Sequence, residues 1–487
     1  MIVPVIILSM LTGLVGAAYL TNPFSKFTII KQPFTVRVIL GTFKAVNQNH
    51  KLVVRQNWWW RLFATLKCWV HILETRYIRS PRSTSTKLED IIADIHAHRF
   101  KPDRLLLTSG DHFSGLFVRN LGIFYYPMVD PAIPGSTQDW HDRQVVYMQT
   151  VAYALGVFQK YPIPVTTIVT TGAYRATCVN FWRYPSDTVY GIFFALAALA
   201  GKERPSPVAY APRRHRPNTH AAAALLINEY KPTLKALYAH YRKTTFNKKA
   251  MLQKRDVAIC GAKDITRREC AFFDNVIFWK TTELAMKLGL IKSDPQFLKD
   301  LKANIIKTFW LEDEGYFLDD VSAEGVRDKY YSSDWLIVLI TGFLDPAKET
   351  ERAYFTRNVE HIQKTGVDKP FAIKYQQESH GHKQFFLARI AFSSYQRDTV
   401  WSFWGMEYIK VLILLYKHTG DKAYLQQADF HLDSYRKAML RDGGFPEVYD
   451  TQGRLYQTGM YRSVRQTGWV IGFEQACAMR ASMADNK

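Results

Sequence analysis

The sequence has few cysteines and no regular pattern among them. The five are odd in number and include no C-x-x-C pair: Cys68, Cys178, Cys260, Cys270 and Cys477. A disulfide framework needs an even set at characteristic spacings, so that class of protein is excluded and a reducing compartment is slightly favoured. Zinc-finger spacing, an RNP-like run and a P-loop are also missing. The sequence therefore predicts no specific nucleic-acid binding and no cofactor.

Acidic residues are scarce beside basic ones. The chain has 43 Asp and Glu against 64 Lys and Arg, a formal net charge of +21. An excess of this sign attracts polyanions, namely nucleic acid, acidic lipid headgroups or acidic glycans. Aromatic residues are abundant instead, with 27 Tyr, 30 Phe and 12 Trp. They indicate either a well-packed core or a cleft lined with flat rings, as sugar-binding clefts are.

The first 25 residues lack charge until Lys26, and Ile2 to Leu20 is almost wholly apolar. About 20 such residues span a bilayer as a helix, so we predict a transmembrane anchor over residues 1–25 and a single-pass membrane location. A cleaved signal peptide is the alternative, although it normally has a basic first region. Residues 26–86 are basic, opposed only by Glu74. That bias slightly favours the cytoplasmic side for the rest of the chain.

An apolar run that starts at Trp58-Trp59-Trp60 lies inside this basic segment. Tryptophan is enriched at the level of the lipid headgroups, so the run predicts either an interfacial helix or an ordinary helix packed on the main domain. The stretch Ser80-Pro81-Arg82-Ser83-Thr84-Ser85-Thr86 then has the composition of a linker. We place the main domain at residues 87–487.

Apolar residues of the main domain recur at three- and four-residue spacing, which predicts amphipathic helices. We expect twelve, near residues 87–99, 112–126, 141–160, 188–201, 218–241, 271–289, 295–308, 330–343, 348–365, 399–418, 421–440 and 467–484. Two stretches share one design: a helix, a Gly turn, an Asp-started helix and then Gly with an aromatic residue. Twelve helices in six hairpins predict an all-α fold, an (α/α)6 toroid, with an open α-solenoid as the alternative.

The loops between these helices hold most of the unusual polar and aromatic residues. Four segments stand out in chain order: GDHF with FVRN, GAKDITRR with FDN, YQRDTVW, and GFPEVY with QTGW. Long loops at one end of a rigid scaffold commonly carry functional sites. The candidate site residues in or directly after these segments are Asp111, Arg119, Asn120, Asp264, Arg268, Asp274, Tyr395, Trp401, Trp404, Glu447 and Trp469.

In this order the four segments resemble the loops of the six-hairpin glycosidases, nearest to the amylo-α-1,6-glucosidase (glycogen-debranching) domain and its trehalase and glucosidase relatives. Arg119 falls on the arginine of the family's "WGRD" loop, and Asp264 on the acid of "WMDA". Glu447 falls on the base of the "G…PE" loop. The resemblance implies the toroid and a carbohydrate substrate.

The chain departs from the family's motifs at several positions. Asn120 replaces an aspartate, Gly261 and Ala262 stand where a tryptophan is expected, and Gln396 and Asp398 replace His and Gly. Ser402-Phe403 also replaces Pro-Trp. These departures argue against true glycogen debranching.

Hydrolysis of a glycosidic bond needs one protonated and one ionised carboxyl group. The resemblance assigns Asp264 as the acid and Glu447 as the base of an inverting glycoside hydrolase acting on α-linked glucosides or a related glycan. Asp274 is a candidate neighbour that raises the pKa of the acid. The remaining candidates would bind substrate, and no metal is expected, since His380-Gly381-His382 lacks further ligands at metal spacing.

Each carboxylate also has a structural interpretation. Asp264 could cap a helix and Glu447 could be a solvated loop residue. Two other functions therefore stay open at this stage: a non-catalytic protein that binds a glycan or a lipid-linked sugar, and a polysaccharide lyase or epimerase with Tyr395 or His380 as its base.

Overall fold

The computed structural model describes residues 34–39, 42–47, 52–78, 81–99, 105–106, 115–123, 137–172, 175–180, 184–203, 219–257, 259–377 and 384–483. Most of this part of the chain is helical. The helices are α1 (Trp58–Tyr77), α2 (Leu88–Arg99), α3 (Asn120–Ile123), α4 (Thr137–Lys160), α5 (Asp187–Leu199), α6 (Thr219–Glu229), α7 (Lys231–Thr245), α8 (Phe272–Lys287), α9 (Pro295–Phe309), α10 (Ala323–Arg327), α11 (Ile337–Thr341, after a 3-10 turn at Ser333–Leu336), α12 (Glu349–Thr365), α13 (Phe386–Ala391), α14 (Ser402–Thr419), α15 (Lys422–Asp442) and α16 (Val470–Ser482).

The strands are short apart from one hairpin and one small sheet. They are β1 (Phe34–Ile39), β2 (Thr42–Asn47), β3 (Val53–Val54), β4 (Leu116–Phe117), β5 (Thr167–Gly172), β6 (Arg175–Val179), β7 (Tyr184–Pro185), β8 (Phe246–Asn247), β9 (Leu252–Gln253), β10 (Ile259–Cys260), β11 (Trp310–Leu311), β12 (Tyr316–Phe317), β13 (Val400–Trp401) and β14 (Val448–Tyr449). One sheet has four strands in the order β3-β6-β5-β4. The expected all-α fold thus carries a small amount of sheet.

The helices form an inner and an outer layer, which their burial distinguishes. Every residue of α5 is buried, and so are most residues of α8 and the first fourteen residues of α14. In α9, by contrast, burial is confined to Leu301, Ile305 and Phe309, a single stripe at four-residue spacing. A helix buried all round lies inside, whereas a helix with one apolar stripe covers it from outside. The helices α5, α8 and α14 therefore build the core.

The two stretches of shared design are inner–outer hairpins, as predicted. α8 packs on α9, and α14 packs on α15. The turns contain Gly289 and Gly420 at φ +69° and +75°, where a side chain would be strained. Asp294 and Asp421 then begin the outer helices, and their carboxylates accept the backbone N–H groups of Phe297 and Ala423. These caps explain why glycine and aspartate recur at the same places.

Two predicted helices differ from the observed ones. The helix expected over 218–241 is divided at Tyr230 into α6 and α7, because Pro232 lies in the first turn of α7 and cannot donate a backbone hydrogen bond to an unbroken helix. The helix expected over 112–126 is reduced among the described residues to Asn120–Ile123, directly after β4. The segment around Arg119 is therefore a strand-to-helix turn.

Helix α1 packs on the small sheet. Ala64 is buried against Val169 of β5 and Val179 of β6, and Lys67, His71 and Thr75 are also buried. At its C-terminal end Arg76 donates to the carbonyl of Thr458 at 2.8 Å, and the hydroxyl of Tyr77 donates to the carbonyl of Gly459. Of the two alternatives for this helix, the structure favours packing on the main domain. The boundary at residue 86 stays a prediction.

The predicted single-pass membrane location requires correction. Residues 1–25, where the anchor was expected, lie outside the described residues. Across the part of the chain that the structure describes, no helix combines the length and the apolar character needed to cross a bilayer. The prediction of a single-pass membrane protein is therefore wrong on the structural finding.

A close approach between α5 and the Arg119 turn fixes that turn in place. A Cβ atom added to Gly191 of α5 would lie 2.5 Å from the carbonyl oxygen of Val118 and 2.9 Å from the Cα of Arg119. On the opposite side, a Cβ at Gly122 would lie 2.8 Å from the Cα of Gly191. Glycine at these positions lets two backbones touch.

We expect Gly191→Ala to displace the Arg119 turn and to lower the free energy of unfolding by about 1–3 kcal/mol, because the added methyl group overlaps backbone atoms. Urea unfolding checks this. Gly459→Ala is the matched control, since its added Cβ meets no atom within 4 Å, and its effect should stay within about 0.5 kcal/mol. Equal effects of the two substitutions would contradict the close approach.

Candidate functional site

Glu447 lies in the loop between α15 and α16 and is held by backbone contacts on two sides. Its N–H donates to the carbonyl of Val464 at 2.9 Å, and its carbonyl accepts the N–H of Ser402 at 3.1 Å. The next residues, Val448–Tyr449, form β14, which pairs antiparallel with β13. This pairing joins the loop of Glu447 to the start of the inner helix α14. Glu447 is therefore a buried, fixed side chain and not the solvated loop residue considered from the sequence.

Two tyrosines surround the carboxyl group of Glu447. The hydroxyl of Tyr461 donates to Oε2 at 2.7 Å, and it lies 3.5 Å from the hydroxyl of Tyr395. Burial raises the pKa of Glu447 from 4.5 to about 7, although hydrogen bonds from both tyrosines and the charge of Arg119 act against the shift. A substantial fraction of Glu447 is thus protonated near neutral pH.

Arg119 binds the carboxylate of Asp264 with both guanidinium nitrogens. Nη1 donates to Oδ1 at 2.8 Å and Nη2 donates to Oδ2. Such a two-point pair is among the stronger contacts between side chains and fixes the relative orientation of the two groups. Arg119 is buried, whereas the side chain of Asp264 retains 21% exposure. Asp264 is therefore the part of this pair that solvent or a ligand can reach.

Asp187, which sequence reasoning missed, is the third member of this group. It is the first residue of α5 and wholly buried, and its Oδ2 lies 3.5 Å from Nη1 of Arg119 and accepts the N–H of Ala262 at 2.9 Å. Burial raises its pKa, while Arg119 lowers it. An aspartate at the start of an apolar helix has the pattern of an ordinary helix-dipole partner. Tyr461 was missed as well, because nothing in the local sequence marks it.

The two candidate catalytic carboxyl groups share one electrostatic neighbourhood. The negative charge of Asp264 raises the pKa of Glu447 and the positive charge of Arg119 lowers it. The charge of Asp264 also raises the pKa of Tyr395. The structure thus brings together Arg119, Asp264, Tyr395 and Glu447 from the predicted set, and adds Asp187 and Tyr461.

Arg268 was predicted to bind substrate, but it lies in a buried ionic cluster. Its Nη1 donates to Asp334 at 2.8 Å and to Asp319 at 3.2 Å, and its Nη2 donates to the carbonyl of Gly261. Lys263 is fully buried and donates to Asp319 at 3.1 Å. These two cations therefore serve the aspartates of the cluster and leave Asp264 to Arg119.

Asp274 also faces this interior. It accepts the hydroxyl of Ser186, and burial raises its pKa to about 6 although Arg268 acts in the opposite direction. The acidic neighbour of Asp264 is Asp187, because both carboxylates contact Arg119. Gly261 is required beside Asp274, since an added Cβ would lie 2.5 Å from Oδ1 of Asp274. A tryptophan near this point, as in the family's motif, would collide with the cluster.

The four predicted aromatic residues are all buried but differ in position. Tyr395 contacts Glu447, as described above. Trp401 donates its Nε1–H to the carbonyl of Tyr395 at 2.7 Å, and its ring lies 5.9 Å from that of Trp469. Trp404 packs edge-on against Phe273 and belongs to the core. Trp401 therefore contacts Tyr395, and Trp469 packs on Trp401.

The other predicted residues contribute less to the described site. Asn120 is buried at the start of α3. Asp111, His380 and His382 lie outside the described residues. Among the residues that are described, no group of three or more His, Cys, Asp or Glu side chains has the arrangement to hold a metal ion.

This architecture is similar to that of solved structures, although the sequence itself has no match. The sequence matches no protein-family model and no curated protein. A glycoside hydrolase family 15 glucoamylase from Hypocrea jecorina superposes over 81% of this chain and 71% of its own, at 14% identity and a TM-score of 0.51. The chain has the fold of the six-hairpin glycosidases. The fold predicted from the resemblance is confirmed, whereas membership of the glycosidase superfamily and the nearer relation to the debranching domain stay predictions.

Two further solved structures are similar at lower scores. A rhamnosidase from Klebsiella oxytoca with rhamnose bound is covered over 64% of its length by 81% of this chain, at 11% identity and a TM-score of 0.49. A family 63 mannosylglycerate hydrolase from Thermus thermophilus is covered in full by 81% of this chain, at 11% identity and a TM-score of 0.44. This chain spans less than two thirds of that rhamnosidase.

We expect Arg268→Met to lower the free energy of unfolding by about 3–5 kcal/mol, because it leaves Asp319 and Asp334 buried with one cation fewer. Arg327→Met is the control, since the pair of Arg327 with Asp328 is exposed and such pairs contribute about 0–1 kcal/mol. Chemical denaturation of both variants checks this. A loss below about 1 kcal/mol for Arg268→Met would contradict the ionic cluster.

The raised pKa of Glu447 predicts a pH dependence of stability. The folded protein holds this proton up to about pH 7, whereas the unfolded chain releases it near 4.5. Its contribution is therefore complete below pH 4.5 and is lost as the pH rises through 7, by about 1.4 kcal/mol per pH unit within that window.

Glu447→Gln removes this titration. The unfolding free energy of the parent should therefore fall relative to that of the variant as the pH rises from 4.5 to 7. Thermal or urea unfolding across that range measures it. Glu324→Gln, at an exposed position, should run parallel to the parent. A Glu447→Gln variant that also runs parallel would show that folding does not raise the pKa of this carboxyl group.

Proposed function

We propose that this protein is a glycoside hydrolase of the inverting type, acting on α-linked glucosides or a related glycan with Asp264 and Glu447 as its reacting carboxyl groups. The observation that carries the proposal is the different setting of these two groups within one neighbourhood. Burial raises the pKa of Glu447 to about 7, while Asp264 is paired with Arg119 and keeps 21% side-chain exposure. Hydrolysis of a glycosidic bond needs one protonated and one ionised group.

These contacts support a division of roles opposite to the one that the resemblance implies. Glu447 would donate its proton to the leaving oxygen. Asp264 would take a proton from the attacking water, for which its partial exposure leaves access. Tyr395 and Tyr461 would hold the carboxyl of Glu447 in one orientation, and Asp187 would hold Arg119.

The original division of roles remains the second arrangement within the same function. A sugar whose hydroxyl groups bind the guanidinium of Arg119 would weaken its hold on Asp264. Asp264 could then be protonated and act as the acid, with Glu447 as the base. The two arrangements differ in the pH range where activity is lost.

A lyase or epimerase is less well supported. Such an enzyme would need Tyr395 or His380 as its base. Burial raises the pKa of Tyr395 well above its usual value, and His380 lies outside the described residues. A phenol in that state is a poor base at neutral pH. A glycan-binding protein without activity is the other candidate, favoured by the direct pairing of Arg119 with Asp264.

The test is turnover of a panel of α-glucosides and related glycans, with NMR of the fresh product to read its anomeric form. We expect inversion of configuration, and a loss of about 10²–10⁴-fold in kcat for Asp264→Asn and for Glu447→Gln. Arg327→Met serves as the control without effect. Retention of configuration would exclude the inverting mechanism, and binding without turnover in the parent would favour the non-catalytic candidate.

The roles are separated by the leaving group and by pH. An aryl glycoside with an acidic phenol needs no proton donor, so it should restore turnover only in the variant that lacks the acid. If Glu447 is the acid, that variant is Glu447→Gln, and the parent loses activity as the pH rises past about 7. Loss of activity as the pH falls below 7 would instead assign Glu447 as the base.

A further inference from the structure

A pocket separate from the carboxyl site has arginine at five of its eight lining positions. It encloses about 500 Å³, within the size range of small-ligand sites. Its charged lining residues are Arg82, Arg441, Asp442, Arg454, Arg462 and Arg465. We call it the arginine pocket. Five guanidinium groups thus face one lining carboxylate.

The acidic residues near the arginine pocket do not neutralise it. Asp442 pairs with Arg441 at 2.7 Å, and Asp450 pairs with Arg454 at 2.9 Å. Within the described ranges, Arg82 and Arg462 have no carboxylate at ion-pair distance. Like charges held this close repel one another, and an anion that enters the pocket removes that cost.

Arg462 lies close to a further cation, Arg76. Arg462 is partly buried. Burial is the larger cause that lowers its pKa, and the positive charge of Arg76 lowers it further. Arg76 is fixed nearby at the end of α1, where its Nε donates to the carbonyl of Thr458. The basic N-terminal segment thus adds positive charge beside the pocket through Arg76 and within it through Arg82.

The arginine pocket and the carboxyl site are built from one loop. Residues 443–469 carry Glu447 and also Arg454, Arg462 and Arg465. The carbonyl of Arg465 accepts the N–H of Phe445 at 2.6 Å, two residues before Glu447. Arg82 reaches the pocket because Ser83 donates its N–H to the carbonyl of Gly443 at 2.8 Å. A ligand in the pocket would therefore contact the same loop that positions Glu447.

We infer that the arginine pocket binds the carboxylate or sulfate groups of an acidic glycan. Planar guanidinium groups form two-point hydrogen bonds with such anions, and several converging on one pocket suit a polyanion better than a single ion. The choice of a glycan rests on the proposed function, since the loop that lines the pocket serves a site for sugar hydrolysis. The pocket gives the enzyme a preference for charged substrates.

The test uses the whole chain with Glu447→Gln, so that binding is read without turnover. Titration calorimetry compares heparin as a sulfated glycan, polygalacturonate as a carboxylated one and dextran as a neutral one. We expect the acidic glycans to bind much more tightly than dextran, which has no anionic group for the arginine pocket and can occupy only the carboxyl site. Arg454→Ala with Arg462→Ala should weaken that binding at least about tenfold per arginine, and added salt should weaken it further.

Two variants make the comparison sharper. Arg82→Glu reverses a charge at an exposed position and should weaken binding without altering the loop itself. Arg242→Ala with Arg327→Ala removes the same charge from exposed positions outside the arginine pocket, and should leave binding within about twofold. Equal losses in both double variants would overturn the inference, because total charge alone would then explain the binding.

Two other probes separate the source of the anion. Sodium sulfate or phosphate binding as tightly as the polymer would indicate a site for small anions and overturn the glycan assignment. Binding to phosphatidylcholine–phosphatidylserine vesicles, with none to the acidic glycans, would indicate lipid headgroups and overturn it too. Arginine-dependent glycan binding by a protein that hydrolyses nothing would uphold the arginine pocket and refute the proposed function. Hydrolysis of a glycan without any binding that depends on the arginines would uphold the proposed function and refute the arginine pocket.

Discussion

The site depends on one guanidinium group. Arg119 contacts Asp264, which lies 145 residues further along the chain, and also Asp187 at the start of α5. A planar cation with several donors can join two carboxylates from separate segments, which a lysine cannot do with the same geometry. Its own backbone is set by the contact of Val118 and Arg119 with Gly191. The polar chemistry of the site therefore follows from a packing constraint inside the core.

The buried cations near the site belong to two separate groups of ion pairs. Arg268 and Lys263 neutralise Asp319 and Asp334 behind the site, and Gly261 keeps space for Asp274 beside them. Because these cations are committed to the cluster, Arg119 acts on Asp264, and Glu447 is left with neutral tyrosines as hydrogen-bond partners. The two nearby carboxyl groups thus have different partners because the cations of the interior are fixed in separate contacts.

The helices and their pairing followed from sequence because each signal is local. Apolar spacing marks α9, and Gly420 with Asp421 marks the turn into α15. Glu447 and Asp264 were found through the resemblance of short loops. The partners of those residues were not, since Asp187 and Tyr461 reach the site only through the tertiary fold. Likewise, nothing in the sequence tells that Arg268 faces inward while Arg119 faces Asp264, or that α1 packs on the sheet through Ala64.

The hydrogen bonds of Arg76 and Tyr77 to the carbonyls of Thr458 and Gly459 have a practical consequence for this fold. The toroid could be thought to begin at α2, and a shortened gene would naturally start there. A protein produced in that way loses both of these hydrogen bonds. It also loses Arg82 and the hydrogen bond from the N–H of Ser83 to the carbonyl of Gly443. The loop that bears Glu447 is then less restrained than in the parent chain, so low activity of such a fragment says little about the intact protein.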